Sequence, residues 1–228
     1  MLIDTLPIWL TLQLAVLTTL ILVFITIPIA YGLTYSDFRF RTVLETVLNL
    51  PLVLPPTVIG FYLLILFSPK HLLGEWLDEF FQIRLTFSFL GILLGSIIFN
   101  LPFMLQSIQV GFLSVPKAMI ETGIALGKSK WTILYRIILP NCKFSIFTGM
   151  VLSFTHTIGE FGVVLLIGGS IPGKTKVTSI AIFEEVEAMN YTNAHLYSFI
   201  LLCISFISLF ILFLWKRNGL LFSLDRST

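Results

Sequence analysis

Ser114-Val-Pro-Lys-Ala-Met-Ile-Glu-Thr-Gly-Ile-Ala-Leu-Gly-Lys-Ser-Lys-Trp-Thr-Ile-Leu-Tyr-Arg-Ile-Ile-Leu-Pro140 lies in the only connection between apolar runs that is long enough to carry structure of its own. Ser114 can cap a helix with Pro116 in its first turn, and Ala118, Ile120, Ile124 and Leu126 then recur roughly at helical spacing. Gly127 interrupts that helix. Trp131, Leu134, Ile137 and Ile138 start a second apolar stripe, which Pro140 ends. The pattern predicts two short amphipathic helices bent at a glycine, lying beside a membrane. Periodicity alone allows such a pair simply to rest on lipid headgroups.

The membrane follows from composition. Of 228 residues 57% are apolar and 11% charged, with 22 Phe and a mean hydropathy of +0.99. A soluble domain of this length needs roughly a quarter of its residues charged to keep its surface wet. With Gly 15, Pro 10 and Cys 2, collagen-like, disulfide-scaffold and disordered classes are excluded too. The net charge of +2 is too small to argue for nucleic acid, and neither Cys142 nor Cys203 has a cysteine nearby to pair with.

A helix crossing about 30 Å of hydrocarbon needs about 20 mostly apolar residues. Five stretches qualify, near 8–34, 46–67, 86–107, 144–169 and 195–215. The first begins Met-Leu-Ile-Asp with no early Lys or Arg and is too long for a cleaved signal, so it is kept as a span. Lys and Arg collect in cytoplasmic loops. Arg39 and Arg41, the five cations of 108–143, and Lys216, Arg217 and Arg226 put ten on one side; Lys70, Arg84, Lys174 and Lys176 put four on the other. The expectation is an all-α membrane protein of about five transmembrane helices, N-out and C-in, with residues 1–228 as a single transmembrane domain. Coarse internal symmetry is absent, which weakens readings that need two inverted repeats within the chain.

Glu121, Gly127, Ile137, Leu139 and Pro140 stand at the spacings of the signature Glu-Ala-Ala-x3-Gly-x9-Ile-x-Leu-Pro, and on these residues the loop resembles the "EAA" loop of ABC importer permeases. Thr122 and Gly123 replace the two alanines and are still small. The resemblance implies the type I ABC importer permease fold, with residues 114–140 as the coupling loop. In that family the loop docks in a cleft of a separate ATPase subunit and carries nucleotide-driven closure to the spans. It assigns Glu121, Thr122, Gly123, Gly127, Ile137, Leu139 and Pro140 to ATPase coupling. An ion pair within the loop is the competing role for Glu121.

Gly168-Gly-Ser-Ile-Pro-Gly-Lys-Thr175 matches the phosphate-loop pattern letter for letter, but an apolar span precedes it where a buried strand is required, and no acidic strand for magnesium follows. The stretch Phe154–Lys176, with Gly-Glu-Phe-Gly followed by a Gly-x-Ile-Pro-Gly-x-Thr turn, resembles the fourth-span region of molybdate permeases. Ser179-Ile-Ala-Ile-Phe, Glu187-Ala-Met-Asn-Tyr, Ala194-His195 and Leu50-Pro-Leu-Val-Leu-Pro-Pro-Thr are also similar to that branch, so the resemblance covers nearly the whole chain. Sulfate permeases share the Gly-Glu-[Phe/Tyr]-Gly core. What this implies is the permease subunit of an ABC importer for a tetrahedral oxyanion, most readily molybdate, with sulfate or tungstate as alternatives. It also implies an ATPase subunit dimer, an external oxyanion-binding protein and a second copy of the chain as partners, with membrane lipid around them in the cell inner membrane. No cofactor is expected, and ATP hydrolysis falls to a partner subunit.

Glu160 sits mid-span, where a charged group costs about 2.5–3.5 kcal/mol. His156 is one helical turn earlier, so the two are placed to share a proton or hydrogen bond on one face. Gly159 and Gly162 beside them permit close helix approach. Pro51, Pro55 and Pro56 break the second span and Thr57 opens the resumed helix; Asn100 and Pro102 make a weaker irregularity in the third. Pro55, Pro56, Thr57, His156, Gly159, Glu160 and Gly162 are therefore the expected neighbourhood of a pathway or gate, against helix packing alone. A carboxylate repels an oxyanion, so Glu160 is read as structural or gating and not as a substrate ligand. A proton-coupled carrier relaying through Glu160 and His156 is the reading from another class, which the coupling signature disfavours. Catalysis would need a metal set or nucleophile–base pair, and His71, His156 and His195 are too dispersed to supply one.

Overall fold

The computed structural model describes residues 3–224, and every regular element among them is helical. Met1, Leu2 and Arg226, used in the expectations above, lie outside the described residues. Three helices are long and apolar enough to cross a membrane: α1 (Leu6–Tyr35), α5 (Phe89–Leu113) and the Tyr191–Arg217 part of α12 (Tyr191–Leu224).

The centre is built by α1, α5 and α9 (Lys143–Ile158): Leu14, Leu22 and Ala30 of α1, Ile97, Met104, Ile108 and Phe112 of α5, and Gly149 and Ser153 of α9 are all buried. Small residues let the backbones close up. A Cβ on Gly111 would lie 2.6 Å from Ser145 Cβ, and one on Gly149 would lie 2.8 Å from Met104 Sδ. Polar ties fix α1 at both ends: Thr178 N–H donates to Thr11 Oγ1 at 2.8 Å, and the Tyr35 hydroxyl donates to the Phe112 carbonyl at 2.7 Å. On α12, 6% of the most apolar window is buried against 61% on α5, so α12 is peripheral and shows Phe199, Leu202, Phe206 and Phe210 outward.

The remaining crossings are not continuous helices. In the second, α2 (Arg41–Asn49) runs into a 3-10 turn, Leu50–Leu52, before α3 (Pro56–Phe67) departs at 110°. Pro55 and Pro56 supply no backbone N–H, so the break falls where the sequence places it. The expected fourth span, 144–169, is corrected: α9 stops at Ile158, residues 159–161 turn, and α10 (Gly162–Gly168) follows. The third span is longer than expected and unbroken. Asn100 and Pro102 both lie inside α5, where Asn100 Nδ2 donates to the Ser96 carbonyl at 2.8 Å. Two short helices, α4 (Leu72–Phe81) and α11 (Thr178–Glu187), lie in the connections after α3 and before α12. Counting each bent pair once gives five spans; the second pair joins Lys130–Asn141 to Lys143–Ile158 at 73°.

Candidate functional site

Two places on this frame gather the residues singled out by the sequence. The first is the loop after α5. Ser114 belongs to the helix before it, its hydroxyl donating to the Gly111 carbonyl at 2.7 Å, and Pro116 instead precedes α6 (Lys117–Ala125). At the far end Gly127 adopts φ +69°, with its N–H bonded to the Ile124 carbonyl at 2.9 Å and the Lys128 N–H to the Gly123 carbonyl at 3.1 Å. That double closure around a left-handed residue is the Schellman arrangement, which favours glycine there. Ser129 then caps α7 (Lys130–Ile133), accepting from the Thr132 N–H at 3.2 Å. A π-helical turn, Leu134–Ile138, leads into α8 (Leu139–Asn141). Pro140 therefore does not end the second helix; the break comes at Cys142, after which α9 begins.

Gly123 is buried beneath Ile133 and Ile137, and an added Cβ would stand 3.0 Å from Ile137 Cδ1. A small residue is what this crossing requires. Glu121 and Thr122 are exposed on the opposite face, and among the described residues Glu121 has no ion-pair partner. The sequence reading spread the apolar stripes evenly, but the structure divides them. Leu134 and Ile138 are buried, whereas Ile124, Leu126, Trp131 and Tyr135 stand more than 60% exposed outside the bundle. Helical spacing revealed their periodicity and gave no sign of which half would be left uncovered.

The second place is a cleft of about 660 Å³ between the breaks in the second and fourth crossings. Pro56, Thr57, His156, Gly159, Glu160 and Gly162 all line it, and of the expected residues only Pro55 does not. The two half-helices beyond the breaks pack on one another: a Cβ on Gly162 would lie 2.9 Å from Pro56 Cβ, and one on Gly60 would lie 3.0 Å from Val163 Cα. Gly159 has no such neighbour, its nearest contact being the carbonyl of His156 at 3.8 Å. Both α3 and α10 thus begin at the cleft with their N-termini.

His156 and Glu160 do not share a hydrogen bond, because the helix that would have stacked them ends between them. Glu160 is 4% exposed, and its Oε1 accepts the Val163 N–H at 3.1 Å, so the carboxylate closes the first turn of α10. Ser179 Oγ donates to the Glu160 carbonyl at 2.6 Å, tying the turn to α11. His156 Nδ1 instead pairs with Asn100 Oδ1 at 2.9 Å, and its ring lies between Phe99 and Phe103 at centroid distances of 5.3 and 4.2 Å. The Ser96 carbonyl can only accept, so Nδ2 of Asn100 faces it and Oδ1 is left for the histidine, placing a proton on Nδ1. What stands out at Asn100 is this side-chain pair and not a break in α5.

The phosphate-loop lookalike is a self-closed turn. Thr175 is buried and donates to the Gly168 carbonyl at 2.7 Å, while the N–H groups of Lys174, Thr175 and Lys176 all bond to the Ile171 carbonyl. No strand precedes it among the described residues, and the N–H groups of Gly169, Ile171, Lys174 and Thr175 are already bonded within the protein. Lys176 pairs with Glu184 on α11. Burial pushes the Glu184 carboxyl up, but hydrogen bonds from Lys176 and Ser170 together with the charge of Lys176 outweigh it and hold the group below its ordinary value. His71, His156 and His195 occupy separate places, and no group of potential metal ligands gathers among the described residues.

Comparison with known proteins accounts for this combination of broken helices and an exposed bent loop. Residues 23–218 match the model of the binding-protein-dependent transport system inner membrane component. The chain belongs to that family. It is 39% identical over 215 residues to the molybdenum transport system permease protein ModB of Azotobacter vinelandii, a match covering 94% of this chain and 95% of that one. It is 34% identical over 181 residues to the sulfate transport system permease protein CysT of Escherichia coli, covering 79% of this chain and 65% of the relative. Among solved structures, the MetNI methionine ABC transporter in an inward-facing form shares the fold with a TM-score of 0.72 at 12% identity, covering 93% and 94% of the two chains. A bacterial alginate ABC transporter gives 0.76 at 18% identity, covering 93% and 78%. The fold is therefore that of type I ABC importer permeases, and the chain is a multi-pass inner-membrane transport subunit and not itself an enzyme.

Proposed function

We propose that this permease carries molybdate into the cytoplasm, with its N-terminus outside and its C-terminus inside, as two copies facing each other across a pathway. An ATPase dimer grips residues 114–140 of each copy, and an external binding protein delivers the oxyanion. The observation that carries the substrate is the near end-to-end match to the molybdenum permease relative, set against the sulfate relative, of which 65% is covered. Tungstate and sulfate are the alternatives, because tetrahedral oxyanions of similar charge ask for similar donors.

The geometry supports a mechanical route for coupling. Uncovered Ile124, Leu126, Trp131 and Tyr135 offer apolar area for a cleft to bury. From Lys130 the chain is helical to Asn141, and Cys142 alone separates it from α9. A displacement of the loop is thus delivered to α9 as a body, and α9 carries His156 and the Glu160 turn at its other end. Glu160 caps the first turn of α10 with its own Oε1, so the Val163 N–H that could meet an oxyanion at this cleft is occupied until the turn moves. That makes Glu160 a gate element in this reading, with Thr57 and the N-terminus of α3 as the groups favourable to an anion.

Reconstitution of the chain with its ATPase and binding protein in liposomes tests the proposal. Radiolabelled molybdate is expected to accumulate only with ATP inside, to resist a tenfold excess of sulfate, and to ignore a proton ionophore. Equal competition by sulfate would move the substrate to the sulfate branch, and collapse with the ionophore would defeat the ATP-driven reading altogether.

A further inference from the structure

A second groove of about 420 Å³ opens between α5, α9 and α12 at the end of the bundle that carries the coupling loop. Ser145, which lines it, packs on Gly111, next to the Phe112 carbonyl that receives the Tyr35 hydroxyl. The groove therefore sits at the level where α1 and α5 end, which for spanning helices is the boundary between hydrocarbon and headgroups. Its wall includes Val110, Phe144, Leu212 and Trp215, with Lys216 beside them. Trp215 is fixed by Phe144 and Phe147, at centroid distances of 4.9 and 4.3 Å, and Lys143 Nζ lies 5.4 Å from the Phe144 ring. An indole and one ammonium group thus line the apolar slot, and a second ammonium, that of Lys143, lies over the ring of the lining Phe144.

The hydrogen bonds say which anion such a slot suits. Ser107 and Thr148 have given their protons to the carbonyls of Phe103 and Phe144, at 2.9 and 2.8 Å, and Gln106 Nε2 donates to Asn49 Oδ1 at 2.9 Å. Ser145, Lys216 and the Trp215 indole N–H are the lining donors left to face a ligand. A small hydrated oxyanion needs several donors around it and gains nothing from Leu212 or Phe144. An amphiphile needs one anionic contact, a tryptophan at the interface and an apolar wall for its chain.

We propose that this groove binds an anionic phospholipid, its phosphate on Lys216 and Lys143 and its acyl carbons on Leu212, Phe144 and Trp215. The inference does not draw on the molybdate reading and holds whatever the transporter carries. Bound there, the lipid bridges α12 to α5 and α9 at the root of the coupling loop, a junction the protein itself fills loosely.

The test is native mass spectrometry of the full chain, purified in detergent with its partner subunits and offered phosphatidylglycerol, phosphatidylcholine or inorganic phosphate. Wild type is expected to retain phosphatidylglycerol in preference to phosphatidylcholine. K216Q and K143Q each lower that retention about fivefold, since a cation near the surface is worth ~1 kcal/mol. K216R restores it, and W215A loses both lipids. Equal retention of the two lipids, or retention indifferent to the lysine variants, overturns the proposal. Displacement by equimolar inorganic phosphate overturns it in favour of a small-anion site, and lipid seen on single chains but expelled from the two-copy assembly overturns it in favour of the second copy as occupant.

Discussion

Glu160 shows how one buried carboxylate is accommodated where a span breaks. The turn at 159–161 leaves the first N–H groups of α10 without helical acceptors, and Oε1 takes the one on Val163. On this account what matters for folding is the acceptor atom, not the charge. Glu160→Gln keeps that oxygen and is expected to shift stability by less than about 0.5 kcal/mol, whereas Glu160→Ala removes it and costs about 1–2 kcal/mol. Thermal unfolding of the two variants in detergent separates them; equal losses would mean that the cap is not what holds the turn. For this residue the sequence reading named a partner that the structure does not give it. Spacing of four put His156 and Glu160 on one helical face, but that inference assumes an unbroken helix, and Gly159 ends it. Asn100, the histidine's real partner, lies on another element, and no local pattern links the two.

At the scale of elements, breaks were more legible than continuity. Prolines at 51, 55 and 56 forecast the bend after α2 because an imide has no N–H to give, and Gly127 forecast the kink in the loop. The break in the fourth crossing was not foreseen, since Gly159 and Gly162 in an apolar run read equally well as packing glycines. Gly162 does serve that purpose against Pro56, which shows why the two roles cannot be told apart from letters alone. Gly127 offers the cleaner test. Nothing lies within 4 Å of its Cβ position, so an alanine there meets no clash and pays only for its φ of +69°. That strain is about 1–2 kcal/mol, and it falls on the loop while the bundle is untouched. Gly127→Ala is expected to leave the unfolding temperature within about a degree and to weaken ATPase capture in a pull-down roughly five- to thirtyfold. Gly127→Asn, better tolerated in the left-handed region, should lie between; undiminished capture by both variants counts against the docking role.

For the whole molecule, composition declared the membrane and the family resemblance declared the fold, but neither fixes which end faces the cytoplasm. N-out is inferred from an uneven distribution of Lys and Arg, ten against four, and among the described residues the two loops that matter most to it lie at opposed ends. One end holds the loop from α6 to α8, next to the Tyr35–Phe112 tie; the other holds the closed turn carrying Lys174, next to the Thr11–Thr178 tie. Because α1 runs 24 residues from the tie at Thr11 to the tie at Tyr35, or about 36 Å at helical rise, these ends are separated by more than the hydrocarbon thickness and cannot share a side. Both Lys174 and Lys128 are exposed, so a cysteine at either position is open to a bulky reagent. With Cys142 and Cys203 replaced by alanine, a membrane-impermeant maleimide is expected to label Lys174→Cys on intact spheroplasts and Lys128→Cys only after permeabilisation. The reverse pattern would put the loop out of reach of any cytoplasmic ATPase, and the uncovered Trp131, Tyr135, Ile124 and Leu126 would then need a different explanation from the far side of the membrane.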